Sequence, residues 1–235
     1  MAFLQSGQGR EPFLRAPVSV LSLIGALVAA HLARMLMTAA ASERILTEYA
    51  FIPLRYSPGV LEPGSAIDRA VPFVSYMFLH ADWTHLSINC LWLLAFGSVV
   101  ARRFGAASFL LFFLICGVAS VAIHLAFNWQ SPGAVIGASG AISGLMAAGI
   151  RMLNVPALAR GAPRLAPILS PQVLVFSLLW VLINLGFGLS GLIVGGEVQL
   201  IAWQAHLGGY FTGLLLAGPF DRWTRKSDGE QRFAA

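Results

Sequence analysis

The chain has 235 residues, of which 57% are hydrophobic and 11% charged, and its formal net charge is +5. Soluble domains carry about 25% charged residues, so this composition excludes an ordinary soluble fold and predicts a polytopic membrane protein. The basic residues fall between apolar stretches and form no stripe with interleaved aromatic residues. We therefore expect the lipid bilayer, and not nucleic acid, as the partner of this protein.

Six apolar stretches follow one another along the chain and predict an all-α bundle of six transmembrane helices in one domain, residues 17–220. The stretches cover 17–37, 86–100, 109–127, 139–153, 173–194 and 202–220, and the second is expected to begin earlier, near Phe73 or His80. A crossing takes about 20 residues, so the fourth stretch is short, and we expect Ser139 at its start to lie below the membrane surface.

Lysine and arginine set the expected orientation, because cytoplasmic loops carry an excess of both. They precede the first stretch and follow the second, fourth and sixth, as Arg10, Arg15, Arg102, Arg103, Arg151, Arg160, Arg164, Arg222, Arg225, Lys226 and Arg232. Both termini are therefore predicted to be cytoplasmic, with tails 1–16 and 221–235 and an outer interfacial loop 41–71. Arg34, near the outer end of the first stretch, is expected to extend outward to the interface.

A signal peptide is the alternative reading of the first stretch, since residues 39–41 are three alanines. Its apolar run exceeds the usual length of about 7–15 residues, and its removal would leave an odd number of spans, against the charge pattern.

Polar residues converge at one predicted depth, because the second, fourth and sixth stretches run in the same direction. His85, Asn89, Ser139 and His206 all come early in these stretches, which places them in the outer half of the bilayer. Polar groups are costly there and face the bundle interior or a wet cavity.

Glycines supply the predicted helix contact. Gly140 and Gly144 lie on one face of the fourth helix, and Gly209 and Gly213 share a face with His206 on the sixth. Small residues let helices approach closely, so Ser139 and His206 come within hydrogen-bond reach if these faces meet. The alternative reading is that the glycines only pack helices.

Serine becomes a nucleophile when a neighbouring base takes its proton, and histidine suits that role near neutral pH. We therefore predict Ser139 as nucleophile and His206 as base. The marked stretches contain no aspartate or glutamate, so Asp82 and Glu197 near the outer loops are the candidates for an orienting acid, and a dyad is favoured over a triad.

Donors for the oxyanion are predicted from the same region. Ser139 opens a helix, so unpaired backbone N–H groups point towards it. The His85 ring and the Asn89 amide, four residues apart on one helical face, can add side-chain donors. Polar contact between helices is the alternative role for this pair.

Other membrane chemistries lack their residues. The single lysine, Lys226, excludes a Ser–Lys pair within the membrane, the stretches hold no aspartyl pair, and the zinc motif HExxH is absent. We expect no metal and no cofactor. Cys90 and Cys116 are interpreted as packing residues, and His31 and His124 as packing residues that form local hydrogen bonds.

At these positions the chain resembles the rhomboid intramembrane serine proteases, over residues 70–220. Gly137 to Gly140 matches the GxSG nucleophile motif, His80, His85 and Asn89 match HxxxxHxxxN, and Ala205, His206, Gly209 and Gly213 match AHxxGxxxG. The resemblance implies a six-helix bundle in which Ser139 and His206 form the dyad and His85, Asn89 and the Ser139 N–H bind the oxyanion. Many relatives carry a stacking aromatic residue where this chain has Ser143, so we expect a neighbour such as Tyr210 to orient His206.

The resemblance further implies hydrolysis of peptide bonds in or beside transmembrane helices of membrane-protein substrates, with small residues before the cut. We expect a multi-pass protein of a bacterial inner (plasma) membrane and leave its oligomeric state open. Three alternatives remain: a catalytically silent rhomboid-like protein that binds transmembrane helices, a small transporter or channel, and a lipid hydrolase.

Overall fold

The computed structural model describes residues 16–58, 60, 66–153, 165–190, 192–194, 197–199 and 202–233. These residues are mainly helical. The helices are α1 (Val18–Met35), α2 (Ala39–Tyr49), α3 (Ala66–Ala70), α4 (Pro72–Ser75), α5 (Trp83–Trp92), α6 (Ser98–Phe104), α7 (Ala106–Phe127), α8 (Ser139–Ile150), α9 (Pro171–Ser190) and α10 (Trp203–Phe233). Strands β1 (Leu192–Val194) and β2 (Glu197–Gln199) pair antiparallel, and 3₁₀ turns cover Pro53–Tyr56 and Tyr76–Phe78.

Four helical segments of the described chain are long and apolar enough to cross a membrane, judged by length and composition: Val18–Met35, Trp83–Phe104, Ala106–Phe127 and Pro171–Gly188. The second of these is α5 and α6 joined through a π-helical turn at Leu93–Gly97. Helix α8 is apolar but shorter, with 12 residues. Each of the six predicted stretches thus falls on a helix, while six crossings and cytoplasmic termini stay predictions.

Three helix boundaries differ from those predicted. The second span begins at Trp83, because Asp82 caps α5 by accepting a hydrogen bond from the His85 backbone N–H at 2.8 Å. The fifth helix ends at Ser190, and residues predicted to continue it form β1. The sixth continues past residue 220 to Phe233, and Asp221 on it pairs with Arg103 at 2.6 Å.

Helix α8 is the centre of the bundle, and every residue from Gly140 to Ile150 is buried. Its small side chains allow α10 to pack directly on its backbone. A Cβ at Gly209 would overlap the carbonyl oxygen of Gly140, and one at Gly213 would overlap that of Gly144. The predicted contact between the two glycine faces is confirmed, and it holds the start of α8 beside the start of α10.

The segment around Phe51, within the predicted outer loop 41–71, packs on other parts of the protein. Phe51 is fully buried, and its backbone pairs with Val135 in an isolated bridge just before α8. Its ring stacks on Tyr56 at 5.1 Å and meets Phe73 edge-on at 4.9 Å. The segment therefore supports the loop that leads into Ser139.

The prediction that Arg34 extends outward to the interface is wrong. Its side chain does not extend outward but is buried, and its guanidinium donates to the carbonyl oxygens of His80 and Ala81. A third contact reaches Ser42 Oγ at 3.4 Å. The expectation assumed an arginine facing lipid, whereas the backbone before α5 supplies acceptors inside the bundle.

Candidate active site

Ser139 is the first residue of α8, and the turn before it depends on glycine. Gly137 has φ of +107°, a conformation that side chains rarely adopt, and its N–H donates to the Tyr76 carbonyl at 2.9 Å. Helix formation from Ser139 onward leaves the first backbone N–H groups of α8 without helical acceptors. The sequence therefore presents a serine hydroxyl and free N–H groups at one point.

His206 lies on the first turn of α10, and its Nε2 is 2.7 Å from Ser139 Oγ. Both side chains are partly buried. The glycine contact between α8 and α10 positions this pair, since the two residues precede Gly140 and Gly209 on the facing helices. A hydrogen bond of this length allows proton transfer from the hydroxyl to the ring.

The partner of the other ring nitrogen is Asn184 on α9, which the sequence analysis missed. Its Oδ1 lies 2.9 Å from His206 Nδ1, and its Nδ2 donates to the Trp180 carbonyl at 2.8 Å. The Trp180 ring lies tilted beside His206, with ring centroids 6.5 Å apart. The available signal was an amide within an otherwise apolar stretch, which is expected to face the bundle interior.

The expected orienting groups lie elsewhere. Asp82 is occupied as the cap of α5, so it is wrong as the acid for His206. The side chain of Glu197 falls outside the described residues. Tyr210 is fully buried, bonds to Ser177 Oγ at 2.8 Å and stacks on Trp180 at 6.3 Å, and so contacts the ring that lies beside His206. Ser143 Oγ donates to the Ser139 carbonyl at 2.7 Å.

His85 reaches the site from α5. Its Nδ1 accepts from the Ala81 backbone N–H at 3.4 Å, which leaves the proton of the neutral ring on Nε2. That nitrogen faces Gly137, where an added Cβ would lie only 2.6 Å from it. The Nε2–H of His85 therefore points at Gly137, two residues before Ser139 in the chain.

Asn89 lies one turn further along α5 and is buried. Its Nδ2 donates to the His85 carbonyl at 2.9 Å, which uses one of its two hydrogens. Its Oδ1 has no hydrogen-bond partner within the part of the chain that the structure describes. The amide is held next to His85, and this bond leaves Nδ2 a second hydrogen.

The remaining histidines and the cysteines make contacts elsewhere in the fold. His80 is fully buried, with its ring 5.1 Å from that of His85, and its carbonyl binds Arg34. His31 packs edge-on against Trp83, and its ring nitrogens have no hydrogen-bond partner among the described residues, so the expected local hydrogen bond is wrong for His31. His124 Nδ1 lies 3.3 Å from Asn128 Nδ2. Both cysteines are free. Among the described residues, no group of three or more His, Cys, Asp or Glu side chains is placed to hold a metal ion.

A bundle of apolar helices of this length defines a class, the integral multi-pass membrane proteins. A family model described as the Rhomboid domain matches residues 68–222. The chain belongs to the rhomboid family, and the resemblance found from the motifs is confirmed.

Two curated relatives agree with this family. Rhomboid-like protein 11, chloroplastic, from Arabidopsis thaliana is 31% identical over 148 residues, which cover 61% of this chain and 50% of the relative. Rhomboid protease GluP from Bacillus subtilis (strain 168) is 32% identical over 139 residues, which cover 59% of this chain and 24% of the relative. The chain spans about half the length of the first relative and about a quarter of the second.

Proposed function

We propose that this protein is an intramembrane serine endopeptidase that cleaves membrane-protein substrates in or beside their transmembrane segments. The observation that carries the proposal is the 2.7 Å contact between Ser139 Oγ and His206 Nε2. The rhomboid family includes serine intramembrane proteases, and one of the two relatives is named a rhomboid protease.

The chemistry begins with proton transfer. His206 Nε2 takes the hydroxyl proton of Ser139 as Oγ attacks the scissile carbonyl carbon, which gives a tetrahedral intermediate with a negative oxygen. The imidazolium then gives that proton to the leaving amine, and an acyl-enzyme remains. Water, deprotonated by His206, attacks the ester, and Ser139 recovers its proton when the acid product leaves.

Three donors suit the developing oxyanion. The Ser139 backbone N–H stands at the start of α8, His85 Nε2–H faces the turn at Gly137, and the Asn89 amide keeps one hydrogen free. Donors already oriented in a low-dielectric site stabilise this charge without reorganisation. We assign the oxyanion site to these groups.

Substrate entry is proposed from the side of α9. This helix exposes an apolar face in which Val175, Leu178 and Leu182 are 67%, 60% and 56% exposed, as expected for contact with lipid. Its inner face carries the Asn184 contact with His206. A substrate helix that arrives from the lipid would therefore meet the site beside α9, where it must unwind to expose a carbonyl. We propose six crossings with cytoplasmic termini, as the arginine distribution favours, and a bacterial inner membrane as the location.

The test compares purified wild type, Ser139→Ala and Ser98→Ala in detergent, with a single-span substrate that carries an alanine-rich, helix-breaking juxtamembrane site. Ser98 is a buried serine on α6, away from the site, and serves as the matched control. We expect cleavage by wild type and Ser98→Ala only, with the cut located by mass spectrometry.

Other outcomes separate the alternatives. Cleavage that survives Ser139→Ala would contradict the proposal. Substrate binding without cleavage, together with an unreactive Ser139, would favour the silent helix-binding protein. Release of fatty acid from lipid vesicles would favour a lipid hydrolase, and solute flux in liposomes would favour a transporter.

A further inference from the structure

The side chain of Asn184 is a buried amide on a helix whose other face is apolar and exposed. It is 3% exposed, and both of its polar atoms have partners, the Trp180 carbonyl and the His206 ring. A buried amide without partners is costly, so this one is placed where two hydrogen bonds compensate its burial. One of the two partners is the proposed catalytic base.

The two contacts fix which way the amide points. Nδ2 must face the Trp180 carbonyl, because a carbonyl accepts and the exchanged amide would set two acceptors against each other at 2.8 Å. Oδ1 therefore faces His206 Nδ1, and since Oδ1 only accepts, Nδ1 carries the proton. In the neutral ring Nε2 then has a lone pair, which points at Ser139 Oγ.

We propose that Asn184 is a positioning residue that holds His206 in the tautomer and orientation needed for a general base. The inference rests on the function proposed above and deepens it. Ser143, one turn after Ser139 on α8, bonds through its hydroxyl to the Ser139 carbonyl. Asn184, together with the tilted ring of Trp180, supports the His206 ring from α9.

The test begins with Asn184→Ala, in which Nδ1 loses its acceptor and the ring can exchange tautomers and rotate. Loss of the orienting acid in a serine-protease triad costs about 10⁴-fold in kcat; for a neutral amide we expect a smaller loss of about 10–1000-fold, with KM nearly unchanged. The matched control is Ser177→Ala, which removes another side-chain hydrogen bond between α9 and α10, from Ser177 to Tyr210, without touching His206. We expect near-normal kcat for this control.

Asn184→Asp adds a second readout, the pH profile of kcat/KM, which would not change if Asn184 had only a structural role. A carboxylate keeps the acceptor for Nδ1 and favours the imidazolium, so the acid limb of the kcat/KM profile should shift to higher pH. Its second oxygen replaces the donor to the Trp180 carbonyl, so we expect part of kcat to be lost even at high pH. Among the residues that the structure describes, the ionisable groups that act on His206 from neighbouring helices are His85 and His124, which stay the same in every variant.

Nitrogen-15 spectra of histidine-labelled protein complete the test and need no turnover. We expect a protonated Nδ1 and an unprotonated Nε2 for neutral His206 in wild type and a shift towards protonated Nε2 in Asn184→Ala. An unchanged spectrum, an unchanged kcat, or an equal loss of kcat in Ser177→Ala would each overturn the inference. If wild type does not cleave any substrate, the proposed function fails, while the spectra still decide the role of Asn184.

Discussion

Gly209 on α10 lies directly against the carbonyl oxygen of Gly140 on α8, so the two helices that carry His206 and Ser139 meet backbone to backbone. This contact sets the distance between the two side chains. The sequence needs glycine here because no side chain fits between the helices.

Gly209→Ala should therefore destabilise the protein and separate the pair. The new Cβ would overlap a backbone oxygen that cannot move without the helix, and overpacking of this kind costs about 1–3 kcal/mol. Thermal unfolding in detergent should show a lower Tm, and cleavage should fall with it. Gly25→Ala is the control, since nothing lies within 4 Å of a Cβ at that position. An unchanged Tm for Gly209→Ala would contradict the packing.

Gly137→Ala should impair the site with little effect on the rest of the bundle. The residue has φ of +107°, and a Cβ would lie 2.6 Å from His85 Nε2, so the turn before Ser139 must shift. Strain of about 1–3 kcal/mol at one residue corresponds to a rate loss of about 5- to 150-fold if it falls on the transition state. The rate of cleavage measures this. Gly133→Ala, in the same loop between α7 and α8, meets only Ser131 Oγ at 3.3 Å and should cleave nearly as fast as wild type.

Asn89→Ala should lower kcat by about 10–1000-fold with little change in KM, because it removes a donor that acts on the developing charge. Asn128→Ala is a close control. Asn128 Nδ2 donates to the His124 carbonyl four residues earlier at 3.0 Å, as Asn89 Nδ2 does to His85. Steady-state kinetics that show equal losses for both variants, or no loss for Asn89→Ala, would remove Asn89 from the oxyanion site.

Arg34→Leu should destabilise the fold, since it leaves the His80 and Ala81 carbonyls without their charged donor. Hydrogen bonds to charged groups contribute about 1.5–3 kcal/mol, and we expect a loss of stability in this range. Equilibrium unfolding measures the change. Arg44→Leu, at an exposed position, should stay within about 0.5 kcal/mol of wild type, and an equal effect of the two variants would argue against the buried contact.

The helices and the Ser139–His206 contact could be predicted because two rules act over short stretches of sequence. Polar groups in an apolar helix must face inward, and glycines spaced by four residues mark the closest approach between helices. Ser139, His206 and the glycine faces satisfy both rules at once, so their contact was expected on the condition that the two glycine faces meet.

These rules do not predict tertiary contacts, as three residues show: Asn184, Asp82 and Arg34. The partner of Asn184 depends on the rotation of α9 about its own axis, which a nearly uniform apolar stretch does not specify. Proximity in the sequence makes Asp82 a candidate acid, but its carboxylate is the N-cap of α5. Arg34 finds carbonyls from a segment more than forty residues away, a tertiary contact that local charge rules do not contain.

The most direct test of the central claim is the mass of the protein after reaction with a fluorophosphonate, which modifies activated serine. We predict one adduct per wild-type chain, mapped by peptide analysis to Ser139, with none in Ser139→Ala and little in His206→Ala. Two results would contradict a serine nucleophile activated by this histidine. One is an adduct of equal yield in Ser139→Ala, and the other is full labelling of Ser139 in His206→Ala.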